Sequence, residues 1–471
     1  MTDAPESSET AFRVADGLRG RLSDPWELFG ENLRRYEIHF VGDHVELTRG
    51  PLQVEGFGLR IFSKSGDGLG VGFAATTDLS AGGTQSMVEA AKSTTVHAQF
   101  PSPGVDLPSS ATPEDPTIEM LDPDLVEIPS EMLEEFVRTL FETFGARRSV
   151  HPTFGSVRTT LSEAAIANSA GLRQRSAQTS VEFELAVKTG AGPRGTSPAE
   201  YWINRSARKL DPDSLATQVA KWCDLAVDAQ QAVPTPGGAQ TVVFPPEVME
   251  EVIPTIVGFR FSGAARLRKI EVPAGTRVAS PSITITNDAR FPGSLGSYAC
   301  DDEGVPSSRH TLIEAGVGRE PLYDLLHGSA FQAKSTGNGR RVRPIEADWR
   351  RFYYAPAPFP STTVVAPGSG GSDSELVEAV GEGLWIDQLA WAHPDPVSGA
   401  FGGEIRIGHR IRNGKIAEPV RGGIVGGVLF SPTDQASIFG SVSALGGRPR
   451  LTGILYAPTI AAAGVAVAGP A

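Results

Sequence analysis

Val233-Pro234-Thr235-Pro236-Gly237-Gly238, running on into Thr241-Val242-Val243-Phe244, decides how this chain is divided. Two prolines that fix φ and two adjacent glycines that leave it free end the helix expected over 213–232 and mark a linker. The β-branched run after them predicts a short strand, and Pro245-Pro246 suits the first turn of a helix behind it. At 471 residues the chain is too long for one compact core. The reading is therefore an α+β protein of two domains: a tail over 1–23, an N-terminal α+β domain over 24–233, and a β-rich C-terminal domain over 238–471.

Composition narrows the class. Hydrophobic residues make up 40% and charged residues 21%, as in a folded globular chain. The 53 glycines and 36 prolines argue for many turns and short strands and against a helical bundle. A net charge of -13 repels a phosphate backbone, so nucleic acid is not expected as a partner. Two cysteines, Cys223 and Cys300, are too few for a disulfide scaffold or a thiolate zinc cage, and a reducing cytoplasmic setting follows. The opening residues lack the basic and apolar regions of an export signal. The uncharged end of the chain is interrupted by Pro458 and Pro470, so it reads as a buried strand and not as a membrane span.

Outward from the linker, 24–32 looks helical, and 36–40, 44–48 and 56–62 alternate like antiparallel strands. The glycine-rich run 65–72 leads into no amphipathic helix and reads as a hairpin instead of a phosphate loop. Asp78 or Ser80 can cap a helix over 85–93, and 101–123 reads as a long surface connection. Met132, Leu133, Phe136, Val137, Leu140 and Phe141 form the apolar stripe of a helix opening at Pro129. A second hairpin turns at Ser169-Ala170-Gly171, and Ser372-Asp373-Ser374-Glu375 is a capping box.

Chemistry is harder to find. Among eight histidines no pair stands four apart, so the usual helical zinc motif is missing. His39 and His44 are five apart around one turn with Asp43 between them and read as exposed hairpin polar residues in preference to a metal site, and His310 and Glu314 fall on a strand. No Gly-x-Ser-x-Gly elbow occurs. Cys223 lies on an apolar helical stripe, and Cys300 adjoins Asp301, Asp302 and Glu303, whose charge disfavours a thiolate. Those carboxylates form either a hard-cation loop or a turn tied to arginines. Arg340, Arg341, Arg343, Arg350 and Arg351, interleaved with Trp349, Phe352, Tyr353 and Tyr354, suggest a peptide- or subunit-facing surface.

Taken in order, these segments resemble the TldD/PmbA proteins, also known as modulators of DNA gyrase. The resemblance rests on Gly56-Phe57-Gly58-Leu59-Arg60, Asn168-Ser169-Ala170-Gly171, Asp301-Asp302-Glu303-Gly304-Val305-Pro306, Leu312-Ile313-Glu314-Ala315-Gly316-Val317, Ser335-Thr336-Gly337-Asn338, Ser398-Gly399-Ala400-Phe401, Gly408 to Val420 and Ile424-Val425-Gly426-Gly427. In that family the TldD-type subunit carries His-Glu-x-x-x-His on the helix after the Val-Val strand, with a cysteine ligand near its C-terminus; the TldE/PmbA-type subunit lacks them. Run without gaps from Val242, the motif falls on Pro254-Thr255-Ile256-Val257-Gly258-Phe259. Pro254 and Phe259 stand where imidazoles would bind zinc, and Thr255 stands where the general base would be. No histidine lies between His151 and His310, and no cysteine follows Cys300.

The resemblance therefore implies a subunit without catalytic or metal-binding residues of its own and without a cofactor. It would pair with a TldD-type subunit that holds zinc and acts on peptides. Asp301, Asp302, Glu303, Arg340 and Arg341 are the residues it offers as substrate or interface contacts. A non-enzymatic, peptide- or protein-binding homodimer with a regulatory role is the competing expectation.

Overall fold

The computed structural model describes residues 6–66, 68–95, 100–102, 104–147, 149–190, 200–209, 211–341, 350–432 and 436–470. Its N-terminal half is organised by one long strand. Strand β1 (Trp26–Val41) pairs antiparallel with β2 (His44–Ser65) on one side. On the other it pairs with β4 (Val150–Asn168). With β3 (Gly68–Thr76), β5 (Arg173–Thr189) and β6 (Glu200–Ala207) the sheet runs β3-β2-β1-β4-β5-β6.

Side chains on a strand alternate between faces, and β1 uses both. Trp26, Leu28, Ile38 and Phe40 share the face that carries the helices. Helix α1 (Glu6–Arg19) buries Ala11, Phe12, Ala15 and Leu18 there, beside Met87, Val88 and Ala91 of α2 (Ala81–Thr94). After the short α3 (Pro123–Glu127), α4 (Pro129–Gly145) and α5 (Pro212–Gln231) cover the other end through Phe136, Leu140, Val219 and Trp222. The opposite face of β1 presents Glu27, Phe29, Glu31 and Leu33, all buried, to the C-terminal half.

That half begins with β7 (Val233–Pro234) and β8 (Gly238–Phe244), then α6 (Pro246–Met249) and α7 (Val252–Arg260). Strand β8 lies between strand Gly383–Ala390 and strand Ile460–Ala468. Pairing continues through Ile424–Val428 and Ala400–Arg412 back to Gly383–Ala390, so five strands close into a ring. A six-stranded sheet built around Ile285–Asp288 and Thr362–Val365 packs in the same core, with Val252, Ile253, Ile256 and Val257 of α7 at its centre. The capping box forms as expected, with Ser372 and Glu375 bonding each other's backbone N–H.

Several expectations change. Over 24–32 there is no helix, and strand β1 starts at Trp26: with both faces buried its residues lose the period-two signature and imitate a helical stripe. The expected tail over 1–23 contains α1, held by its small apolar stripe. The connection 101–123 is strapped down where it is described: Ile118 is buried, Asn168 Nδ2 donates to Pro108 O at 2.8 Å, and Thr112 N–H donates to Gln174 Oε1 at 2.6 Å. The linker is also partly ordered, since Val233 and Pro234 pair in parallel with strand Lys415–Arg421.

Candidate functional site

Helix α7 carries the three positions where a metal motif was sought. Pro254 is buried in the core, and Thr255 and Phe259 are half-buried. Proline nitrogen in a peptide bond and a phenyl ring have no lone pair to give a metal. The Arg268 guanidinium lies over the Phe259 ring at 5.5 Å, and Ser262 Oγ donates to Phe259 O at 2.7 Å. Arg260, at the end of the helix, donates to Val397 O at 3.0 Å. The donor set on α7 does not fit zinc.

The carboxylates and arginines singled out in the sequence lie elsewhere, sealed between the two halves. Glu27 on β1 accepts from Arg60 Nη2 at 2.7 Å and from Arg341 Nη2 at 2.6 Å. Arg60 also donates to Glu303 Oε1 at 2.6 Å. Asp302 accepts from Arg340 Nε at 3.2 Å, from Arg341 N–H at 2.7 Å and from Arg351 Nη1 at 2.8 Å. Arg351 Nε reaches Glu31 Oε1 at 2.6 Å. Burial alone would raise Asp302, but the guanidiniums of Arg340 and Arg351 hold its carboxyl below the ordinary value. Asp301 anchors its own loop by accepting the N–H groups of Glu303, Val305 and Gly339, while burial and the Glu303 charge push its pKa up.

Arg340, Arg341 and Arg351, read from the sequence as a peptide- or subunit-facing surface, are instead buried and paired with acids from both halves, as the alternative of an acidic turn tied to arginines expects. Arg343 and Trp349 lie outside the described residues. An uncompensated buried charge is expensive, and each guanidinium here has found carboxylates to offset it.

Two adjoining cavities open between β6 and the C-terminal half. The first, of about 340 Å³, is walled by Phe183, Trp222, Lys221, Trp385 and Arg450. The second, of about 250 Å³, is walled by Trp202, Glu250, Glu251, Gln388, Trp391 and Arg406. Tyr201, Arg205, Ser206, Glu247 and Asp387 line both. Glu247 is held by Arg450 through two bonds of 2.9 and 3.1 Å. Asp387 accepts from His409 Nδ1 at 2.8 Å and Trp385 Nε1 at 2.9 Å. Burial would lower His409, yet Asp387 and Asp228 hold its pKa above the ordinary value. Glu250 is different: burial pushes its carboxyl up to about 7, and its nearest cation, Arg205, is 3.5 Å away.

The remaining sequence candidates are dispersed. His39 Nε2 pairs with Glu37 at 3.1 Å, and His44 Nε2 with Asp43 at 3.1 Å on an exposed turn, so His39, Asp43 and His44 do not converge. His310 bonds Glu320 O at 3.1 Å, and Glu314 pairs with Arg319 at 2.5 Å. Among the described residues no three His, Cys, Asp or Glu side chains gather to hold a metal. Burial raises Cys223 to about 11 and Cys300 to about 12; for Cys300 the neighbouring Asp301 and Asp302 add to it. No helix among the described residues is long and apolar enough to cross a membrane.

Residues 237–469 match the family model described as the PmbA/TldA metallopeptidase C-terminal domain. The whole fold superimposes on the crystal structure of TldE from Thermococcus kodakarensis with a TM-score of 0.78, at 19% identity, covering 98% of this chain and 100% of that one. The chain belongs to the TldD/PmbA family. A TldD homologue of Haemophilus influenzae, named as a metalloprotease, is 27% identical over 50% of this chain and 49% of its own length. A TldD homologue of Buchnera aphidicola, named likewise, is 31% identical over 31% of this chain and 29% of its own. The match thus spans half or less of the length of these curated relatives.

Within this TldD/PmbA fold the sequence reading missed the cavities. Arg205, Glu250, Asp387, Trp391 and Arg406 come from four separated segments, and nothing in their local spacing signals that they meet. Glu27, Glu31 and Arg60 were missed for the same reason, since Glu27 finds Arg341 at a separation of 314 residues.

Proposed function

We propose that this chain is a TldE/PmbA-type, metal-free subunit of a heteromeric zinc metallopeptidase that cleaves peptides or peptide-like biosynthetic intermediates. The observation that carries the reading is the chemistry of α7: it offers no imidazole or carboxylate, and the resemblance, run without gaps from Val242, sets Pro254, Thr255 and Phe259 against the His, Glu and His of a TldD-type subunit. In the assembly a TldD-type partner supplies zinc, the water it activates and the general base. This chain contributes shape. Its buried Glu27–Arg341, Arg60–Glu303 and Arg351–Glu31 pairs fix the two halves as one wall of a chamber that holds an extended substrate. The setting expected for it is the cytoplasm.

The test is affinity capture of the tagged full chain from its native host. A stoichiometric partner bearing His-Glu-x-x-x-His supports the reading; recovery only as a homodimer, with no such partner encoded in the genome, overturns it.

A further inference from the structure

The second cavity contains charges that the fold has not used. Of its acids, Glu247 is neutralised by Arg450 and Asp387 by His409. That leaves Arg406, half-buried, and Glu251, exposed; neither side chain has a hydrogen bond or ion pair among the described residues. Glu250 stands beside Glu251 with Oε2 buried and unbonded, and Arg205 is 3.5 Å from that oxygen. Gln388 Oε1 is likewise buried without a donor.

A half-buried guanidinium without an acceptor, lining the same cavity as acceptors without donors, calls for a ligand bearing both signs. A phosphate or other polyanion meets Glu250 and Glu251, and a simple cation meets Arg205 and Arg406, so neither satisfies both sides. The volume of about 250 Å³ admits a ligand of one or two residues. Apolar cover is available from Trp391, which is 63% exposed and held at a φ of 48°, a left-handed backbone that a tryptophan adopts only under constraint from its neighbours.

We propose that this cavity binds a short α-ammonium carboxylate zwitterion, a free amino acid or a dipeptide, with the carboxylate on Arg406, the ammonium on Glu250 and Glu251, and the side chain against Trp391. The site is complete within one chain and does not depend on a zinc-bearing partner, so its failure leaves the proposed function untouched.

Calorimetric titration of the full chain with leucine, glycyl-leucine, N-acetyl-glycyl-leucine and glycyl-leucine amide tests it. Saturable binding of leucine or glycyl-leucine is expected, and the tighter of the two identifies the source of the ligand. Blocking either end of the better form should weaken it about tenfold or more. Arg406→Ala should abolish the preference for a free carboxylate and leave the amide unchanged, and Glu251→Gln, at an exposed position that folding does not need, should weaken binding of the free ammonium. The proposal is overturned if neither free form saturates by about 10 mM, if blocked forms bind equally well, or if both variants titrate like the parent.

Discussion

The buried face of β1 and the second cavity are made from the same residue types, glutamates and arginines, in opposite states. On β1, Glu27 and Glu31 are sealed from water and each takes two or more donors from arginines or their backbone. In the cavity, Arg406 and Glu251 have no partner among the described residues, and Glu250 has only a loose one. Satisfied buried charge specifies how two parts of a fold fit together, whereas charge left unsatisfied at a cavity wall is held for something that arrives later.

Removing a partner from the sealed network should give the largest effect. Arg341→Ala leaves Glu27 short of a donor in a dry site and is expected to cost about 3–5 kcal/mol in chemical denaturation. Removing both ends of that contact, Glu27→Gln with Arg341→Met, should cost less than the two single changes added together by about 1 kcal/mol or more. Additive costs would mean that the two side chains are not coupled.

Glu250 should show a smaller effect with a distinct pH signature. Its folded value of about 7 lies above the ordinary 4.5, so between those values the folded protein keeps a proton that the unfolded chain has released. Stability contributed by this group therefore falls as pH rises from about 4.5 to about 7, by about 2 kcal/mol, and Glu250→Gln should flatten that slope in thermal melts taken across the range. Arg406→Ala should have the smallest effect, within about 0.5 kcal/mol of the parent in the same melts, because the residue holds nothing in the folded chain. A loss comparable to that of Arg341→Ala would erase the distinction between the two regions.

Much of the architecture could be read directly. The hairpin turning at Ser169-Ala170-Gly171, the helix opening at Pro129 and the capping box at Ser372 depend on residues within a few positions of one another, and local chemistry determines them. Strand β1 could not be read this way, because its polar face is buried by arginines more than 300 residues away and so lacks the polar-out alternation of a half-exposed strand. That α7 carries no His, Cys, Asp or Glu is legible because it is a statement about which side chains are present. The cavity is not, since it exists only where β6, the 247–251 turn and strands 383–390 and 400–412 converge.

Metal content and peptide turnover of the purified chain, measured alone and again after mixing with a His-Glu-x-x-x-His subunit, bear most directly on the claim that this chain lends structure and not chemistry. The expected result is no stoichiometric zinc and no cleavage from the chain alone, with peptidase activity that chelators abolish appearing on mixing. Tight zinc and turnover in the solitary chain would contradict it.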